Sequence, residues 1–421
     1  MSAQCNHQTV QRRNWICPHL NQNDCAGYYF RFSGRGADFA LVCGDCGQVA
    51  WDELEAACDQ CFEKAHACES GYRGNFGEPE VLIAKREKCV VAAQTRLVLP
   101  APILAAARIW NRWVALLDDR TIHFVDPFAS CSEPIGTLDA CEINWSEPIA
   151  LISSDDGRYL AVTNDRGQHG AVYDLNTNQV AMSLNRQSYL SEQTRFPVTF
   201  IGRGSETRII HGTDWNRLDI SDPATGLCLT ERSTGLSQGV EAASGQLDYF
   251  MGELMLSPDN QRMLVDGWVW HPVGVTGVVE VAKWLEGDVW RCEQDLAGPG
   301  IRALNYCWNL GKAFVGSEKV ILWGIGHDDD HMVNGACLFD LADRKLLGCF
   351  GGPPRANFAM GEYLFVFSGE HDTTAWDVAT GERVWQLPGH RASLYNPNSR
   401  IFLHHEGDTI TATQWKPAEC Q

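Results

Sequence analysis

From about residue 80 to the C-terminus, short apolar runs alternate with polar turns in a recurring order. Ser154-Asp155-Asp156-Gly157-Arg158 leads into Tyr159-Leu160-Ala161-Val162. Ser257-Pro258-Asp259-Asn260-Gln261 leads into Arg262-Met263-Leu264-Val265, and Asn396-Pro397-Asn398-Ser399-Arg400 into Ile401-Phe402-Leu403. A second unit follows, in which an apolar or aromatic residue precedes an acid and a turn. Its copies are Phe124-Val125-Asp126-Pro127, Val172-Tyr173-Asp174-Leu175, Leu338-Phe339-Asp340-Leu341 and Ala375-Trp376-Asp377-Val378, with fainter ones at Asp222-Pro223 and Val279-Glu280-Val281. Asp, Asn and Gly supply the backbone angles of tight turns, and β-branched or aromatic residues fill strands. The pattern therefore predicts a long series of β-hairpins.

The acid-bearing turns at Asp126, Asp174, Asp222, Glu280, Asp340 and Asp377 recur at intervals of roughly 40 to 60 residues, one four-stranded propeller blade per repeat. The expected fold class is mainly β, with residues 80–421 forming a β-propeller of seven blades. Six or eight blades also fit the ragged middle repeats, and a β-sandwich or two separate β domains is the competing arrangement. The last repeat, residues 394 to 415, runs out after three strands, and residues 80 to 91 are expected to supply the fourth. Trp376-Asp377 and Pro388-Gly389-His390 resemble the Trp-Asp and Gly-His elements of the WD40 family, which implies a rigid ring whose loop-rich faces bind proteins or peptides.

The first 78 residues read differently. Eight of the seventeen cysteines fall there, among Cys5, His7, Cys17, His19, Cys25, Cys43, Cys46, Cys58, Cys61, His66 and Cys68. Cys43-Gly44-Asp45-Cys46, eleven residues, then Cys58-Asp59-Gln60-Cys61 has the spacing of two zinc knuckles completing one tetrahedral shell. Gly44 and Gly47 suit the tight turn at such a knuckle. A redox Cys-x2-Cys is expected beside a βαβ pattern, which is not seen. Cys5-Asn6-His7 and Cys17-Pro18-His19, with Cys25, His66 and Cys68, offer ligands for a second zinc. Shells of Cys and His without carboxylate are closed and structural. The expected organisation is a zinc-binding head, residues 1–78, before the β body, with residues 71 to 79 as linker.

Cys17-Pro18-His19-Leu20 and Cys43-Gly44-Asp45-Cys46-Gly47, followed by Cys58-x2-Cys61, resemble the ubiquitin-binding zinc finger of deubiquitinases and a cytoplasmic histone deacetylase. Gly71-Tyr72-Arg73 after Cys68 is a reordered echo of that family's Cys-Gly-Arg-Tyr stretch. The family's downstream histidines have no counterpart here, since His123 is the next after His66. The resemblance covers about fifty residues and implies binding of a ubiquitin-like C-terminal tail by the head.

Composition narrows the function classes. With 34 Lys and Arg against 53 Asp and Glu, the formal charge is −19, which disfavours nucleic acid as a partner. The longest apolar run, residues 97 to 107, holds two prolines and is too short for a bilayer span. The N-terminus has no apolar core of a secretory signal. A cytoplasmic chain with reduced thiols is expected, its later cysteines serving as small buried hydrophobes.

Three catalytic or metal motifs are discounted. Gly235-Leu236-Ser237-Gln238-Gly239 matches a nucleophile elbow but lacks the apolar strand before it and the helix after it. His327-Asp328-Asp329-Asp330-His331 and Glu370-His371-Asp372 read as solvated loops. The expectation is a non-enzymatic interaction or scaffold protein with structural zinc and protein or peptide partners. A ubiquitin-like tail receptor, or an enzyme with its site in the propeller channel or loops, is the alternative.

Overall fold

In the computed structural model, residues 14–21, 28–32, 39–47, 54–57, 72–77, 79–139, 142–202, 204–232, 247–326 and 328–419 are described. The fold is mainly β, built largely of four-stranded antiparallel sheets, as the hairpin pattern predicts. Two compact units emerge. The first comprises residues 1–87, 304–366 and 374–387; the second comprises residues 88–303, 367–373 and 388–421.

In the second unit, successive sheets are buried on both faces, and the period of two along each strand divides the side chains between neighbours. The first sheet holds strands Ile103–Ile109, Arg112–Leu117, Thr121–Asp126 and Cys131–Thr137. The second holds Ile149–Ser153, Tyr159–Asn164, His169–Asp174 and Gln179–Asn185. On Arg112–Leu117, Val114 and Leu116 join a cluster with Leu160 and Val162 of the second sheet. Trp113, Ala115 and Leu117 point the other way, into a cluster with Ile401, Leu403, Ile410 and Ala412.

The pattern repeats along the unit. Tyr159 and Ala161 pack with Val198, Phe200 and Ile209 of the sheet formed by Val198–Ile201, Arg208–Asp214 and Arg217–Ser221. Ile210, Leu218 and Ile220 of that sheet pack with Met251, Met263, Val265 and Val279. Those four lie on strands Phe250–Leu256, Arg262–Val269 and Val273–Glu280. Two buried faces explain why these strands read as nearly continuous apolar runs.

The repeated acids cap turns. Asp126 Oδ1 accepts N–H bonds from Phe128 and Ala129, and Asp174 Oδ1 from Asn176 and Thr177. Asp222, Asp340 and Asp377 do the same with the N–H two residues on. The Ser-led turns have their own repeated wiring. Ser154 Oγ donates to Asp156 and accepts from the Tyr159 N–H, while Ser257 Oγ donates to Asp259 and accepts from the Arg262 N–H. Glu280 departs from the series. Its carboxylate pairs with Arg262 and the chain enters a short helix, Val281–Leu285.

The last sheet of this unit orders Leu394–Asn396, Ile401–Glu406, Thr409–Pro417 and Cys89–Val98. Its fourth strand comes from near the N-terminus as expected, but from Cys89–Val98 rather than from residues 80 to 91. Cys89 pairs with Pro417 and Val98 with Thr409. Within the earlier stretch, Ile83 instead makes an isolated parallel bridge to Arg383.

In the first unit, Lys312–Val315, Lys319–Ile325, Val333–Asp340 and Leu346–Gly351 form one sheet. Asn357–Met360, Leu364–Phe367, Thr373–Trp376 and Arg383–Leu387 form another. Ile321, Trp323, Ala336 and Leu338 of the former share a core with Leu364, Val366 and Trp376 of the latter. The N-terminal region of the same unit contributes a five-stranded sheet in the order Glu55–Ala57, Asn14–Ile16, Phe39–Val42, Tyr28–Phe32, Tyr72–Phe76.

Candidate metal centre

Strands Asn14–Ile16 and Phe39–Val42 run parallel, with Trp15 opposite Ala40 and Ile16 opposite Leu41. Cys17 and Cys43 each follow the last residue of one strand, so parallel pairing delivers both thiols at the same sheet end. The Cys17 N–H donates to the Leu41 carbonyl at 2.9 Å, and the Cys43 N–H donates to Cys17 Sγ at 3.3 Å. After Cys17 a short helix, Pro18–Asn21, carries His19; proline suits the first helical position, where its missing N–H leaves nothing unpaired. After Cys43 one 3₁₀ turn, Gly44–Cys46, closed by the Cys46 N–H to the Cys43 carbonyl at 3.1 Å, swings Cys46 back.

The ligating atoms of Cys17, His19, Cys43 and Cys46 all lie within 4.8 Å of one another. His19 Nδ1 is 3.2 Å from Cys46 Sγ and 3.4 Å from Cys43 Sγ. Zinc bonds of about 2.3 Å to sulfur and about 2.0 Å to nitrogen give tetrahedral edges of about 3.5 to 3.8 Å. The cluster is close to those edges, and small side-chain adjustments would bring all four atoms to bonding distance of one metal. Three soft thiolates and one imidazole select zinc over hard cations.

The electrostatics agree. The three cysteines are buried and His19 is exposed. Burial pushes the Cys17 thiol up, against hydrogen bonds from the Leu20 and Cys43 backbone. Burial, then the neighbouring Cys43 and Cys17 thiols, pushes Cys46 up to about 12. Both shifts favour the neutral thiols of Cys17 and Cys46, and a divalent cation at this place would offset that penalty by favouring their thiolates.

Among the described residues, Cys43 and Cys46 are grouped with Cys17 and His19, and four such residues suffice for a closed shell. Cys58 and Cys61 lie outside the described residues, as do Cys5, His7, Cys25, His66 and Cys68. The knuckle glycines are not required for backbone conformation. Gly47 has φ −59°, and a Cβ on Gly44 would meet the Tyr29 ring at 3.6 Å, an ordinary contact.

Among the described residues, this is the one group of three or more Cys, His, Asp or Glu side chains at metal-binding distance. In the discounted acidic loop, between strands ending at Ile325 and starting at Val333, His331 Nδ1 is 2.7 Å from Asp328 Oδ1. Asp329 pairs with Arg355 at 3.4 Å, and these side chains are substantially exposed. In the Glu370-His371-Asp372 turn, Asp372 Oδ1 accepts the Gly389 N–H, and Ser368 Oγ accepts those of Glu370 and His371. Gly235, Ser237, Gly239 and His327 lie outside the described residues.

The second unit also holds a buried ionic network that no sequence motif marks. Asp219, 1% exposed, pairs with Arg232 at 2.6 Å and Arg217 at 2.7 Å, while Arg232 also pairs with Glu293. Burial alone would raise the Asp219 pKa; hydrogen bonds from Arg217 and Thr213 and the charge of Arg232 hold it below the usual carboxylate value. The available signal was Arg217-Leu218-Asp219, two opposite charges on one face of an otherwise apolar strand.

No protein-family model matches this chain, and no curated protein matches it.

Proposed function

We propose that this chain is a non-enzymatic interaction protein of the cytoplasm, with protein or peptide partners rather than nucleic acid or membrane. In this reading its seven body sheets are the blades of a WD40-like β-propeller, and its N-terminal region is a zinc-stapled head related in design to ubiquitin-binding zinc fingers. The observation that carries it is the ligand set Cys17, His19, Cys43 and Cys46. With these four side chains as ligands, all four positions of a tetrahedron would be taken by protein, so a metal there would hold strand ends together and leave no place for an activated water. The sheets support the same reading, since their burial on both faces leaves loops and turns as the variable surface. Two modest recognition surfaces on one chain raise the effective concentration of each for a shared partner.

The metal half is tested by elemental analysis of the purified full chain. Bound zinc is expected, and Cys43→Ser should lower it by one ion per chain. Full zinc retention in Cys43→Ser would remove this centre from the reading. The interaction half is tested by cross-linking capture with the zinc-loaded full chain and then direct binding of the purified prey. A prey lost on Cys43→Ser belongs to the head, and one retained belongs to the body. Absence of any direct binder, together with a turnover abolished by Asp328→Asn, would replace the interaction reading with an enzymatic one.

A further inference from the structure

Strands Val333–Asp340 and Leu346–Gly351 form an antiparallel pair in which Cys337 stands directly opposite Cys349. Both residues are buried, at 4% and 3% exposure. Their sulfurs are 2.9 Å apart, inside the separation of about 3.5 to 4.0 Å at which unbonded heavy atoms ordinarily rest. Directly opposed residues of an antiparallel pair have Cα atoms about 4.5 or 5.5 Å apart, within the range a disulfide spans. Forming the bond therefore needs rotation of two side chains and no change of register. The twelve-residue separation in sequence means that the link would staple the two arms of one hairpin. Neither cysteine belongs to the metal centre.

We propose that Cys337 and Cys349 are a modification site, a thiol pair that a peroxide converts reversibly to a disulfide. The thiolate of one cysteine attacks the peroxide, giving a sulfenic acid and releasing hydroxide. The sulfur of the other then displaces that oxygen, which leaves as water. In sum, two thiols and one hydrogen peroxide give one disulfide and two waters; sulfur is oxidised and peroxide oxygen reduced. A small dithiol reverses the reaction by exchange through a mixed disulfide. Burial means that the peroxide reaches the pair only through local opening of the hairpin. It also shields the first sulfenic acid from bulky thiols, so that the opposed cysteine is its nearest nucleophile.

Peptide mapping of the folded, zinc-loaded full chain tests this. Trypsin cuts after Lys319, Arg344, Lys345 and Arg355, so residues 320–344 carry Cys337 alone and residues 346–355 carry Cys349 alone. The protein is treated with hydrogen peroxide in native buffer, remaining thiols are alkylated, and the digest is read without reduction. The expected result is one joined species, two hydrogens lighter than the sum of the two peptides. Both alkylated peptides should be lost correspondingly, and both should return after dithiothreitol. The metal ligands lie on other peptides and do not obscure the reading. Recovery of both peptides unlinked, whether alkylated or as separate sulfinic or sulfonic acids, overturns the proposal. So does a link that appears only when peroxide is added in urea, because the native juxtaposition would then play no part. In Cys349→Ser, Cys337 should be recovered unlinked; if that variant does not fold, the wild-type map decides alone.

Discussion

His390 is 5% exposed, and its Nδ1 lies 3.5 Å from Thr413 Oγ1. Burial, and after it the charge of neighbouring His404, together lower its pKa to about 4. The unfolded chain therefore binds this proton more tightly than the folded one. The stability tied to His390 is complete above the unfolded value near 6.5 and is lost as pH falls from about 6.5 to about 4. At about 1.4 kcal/mol per unit over about 2.5 units, the loss is at most about 3 to 4 kcal/mol. His211, His123 and His405 are also lowered by burial, so they too lose stability as pH falls below about 6.5. Carboxylates held low, Asp219, Asp174 and Asp156, act below about 4 and are separable from it. Urea midpoints measured between pH 7 and pH 5 should fall in the wild type and fall less in His390→Gln. Equal slopes in the two chains would refute the assignment to His390.

The Asp219 network makes a second prediction at this scale. Removing the carboxylate leaves Arg217 and Arg232 in a buried site with a charge deficit, which costs about 3 to 5 kcal/mol. Asp219→Ala should lower the urea midpoint strongly, and Asp219→Asn should do so less, because it keeps hydrogen-bond acceptance from Thr230. Indistinguishable midpoints for wild type and Asp219→Ala would show that the ion pairs contribute nothing net. Little of this was legible in sequence. The partners Arg217, Asp219, Arg232 and Glu293 are dispersed over three elements, and only tertiary packing brings them together. By contrast Cys17, His19, Cys43 and Cys46 were all visible as ligands, because Cys and His in such density have few other uses. What stayed hidden was their grouping, which depends on a parallel strand pair that no local pattern announces.

At the scale of the element, the acid-bearing turns were readable because their chemistry is confined to three or four residues. Asp126, Asp174, Asp340 and Asp377 each receive two N–H bonds from their own turn. The copy at Glu280 departs because the chain there enters the helix Val281–Leu285 instead of a turn, and the carboxylate pairs with Arg262. A graded outcome follows. Asp377 acts mainly as a cap, so Asp377→Ala should cost about 1 kcal/mol and Asp377→Asn much less. Asp174 also holds Arg158 at 2.9 Å with its own side chain nearly buried, so Asp174→Ala should cost more than Asp377→Ala. Thermal melts of the three variants check the order, and a reversed order would mean that the turn bonds, not the Arg158 pair, dominate at Asp174.

At the scale of the whole molecule, the feature that sequence placed about ten residues too early is the strand that joins the chain's beginning to its end. Residues 80 to 91 were expected because they precede the first repeat. Strand Cys89–Val98 takes the edge position, with Gln94, Arg96 and Val98 exposed in alternation along its second half and Cys89 fully buried. It lies along Thr409–Pro417 for nine register pairs, closing more than 300 residues of intervening chain. Such a pairing forms against a large loop entropy, so it should be among the last to form and should hold the unit's ends in place once made. A cross-link at Arg96 and Thr411, directly paired and not in the core, examines this without truncating the chain. In the double variant Arg96→Cys and Thr411→Cys, mild oxidation should join the two tryptic segments that carry these positions. Fixing a loop of 315 residues (411 − 96) removes unfolded-state entropy worth up to about 5 to 6 kcal/mol at 25 °C, so the oxidised chain should unfold at higher urea than the reduced one. If the link forms and the midpoint does not rise, the strand separates before the unit unfolds and closure contributes little to stability. If no link forms while the variant remains folded, the register between Cys89–Val98 and Thr409–Pro417 is wrong, and with it the idea that the chain's two ends share a sheet.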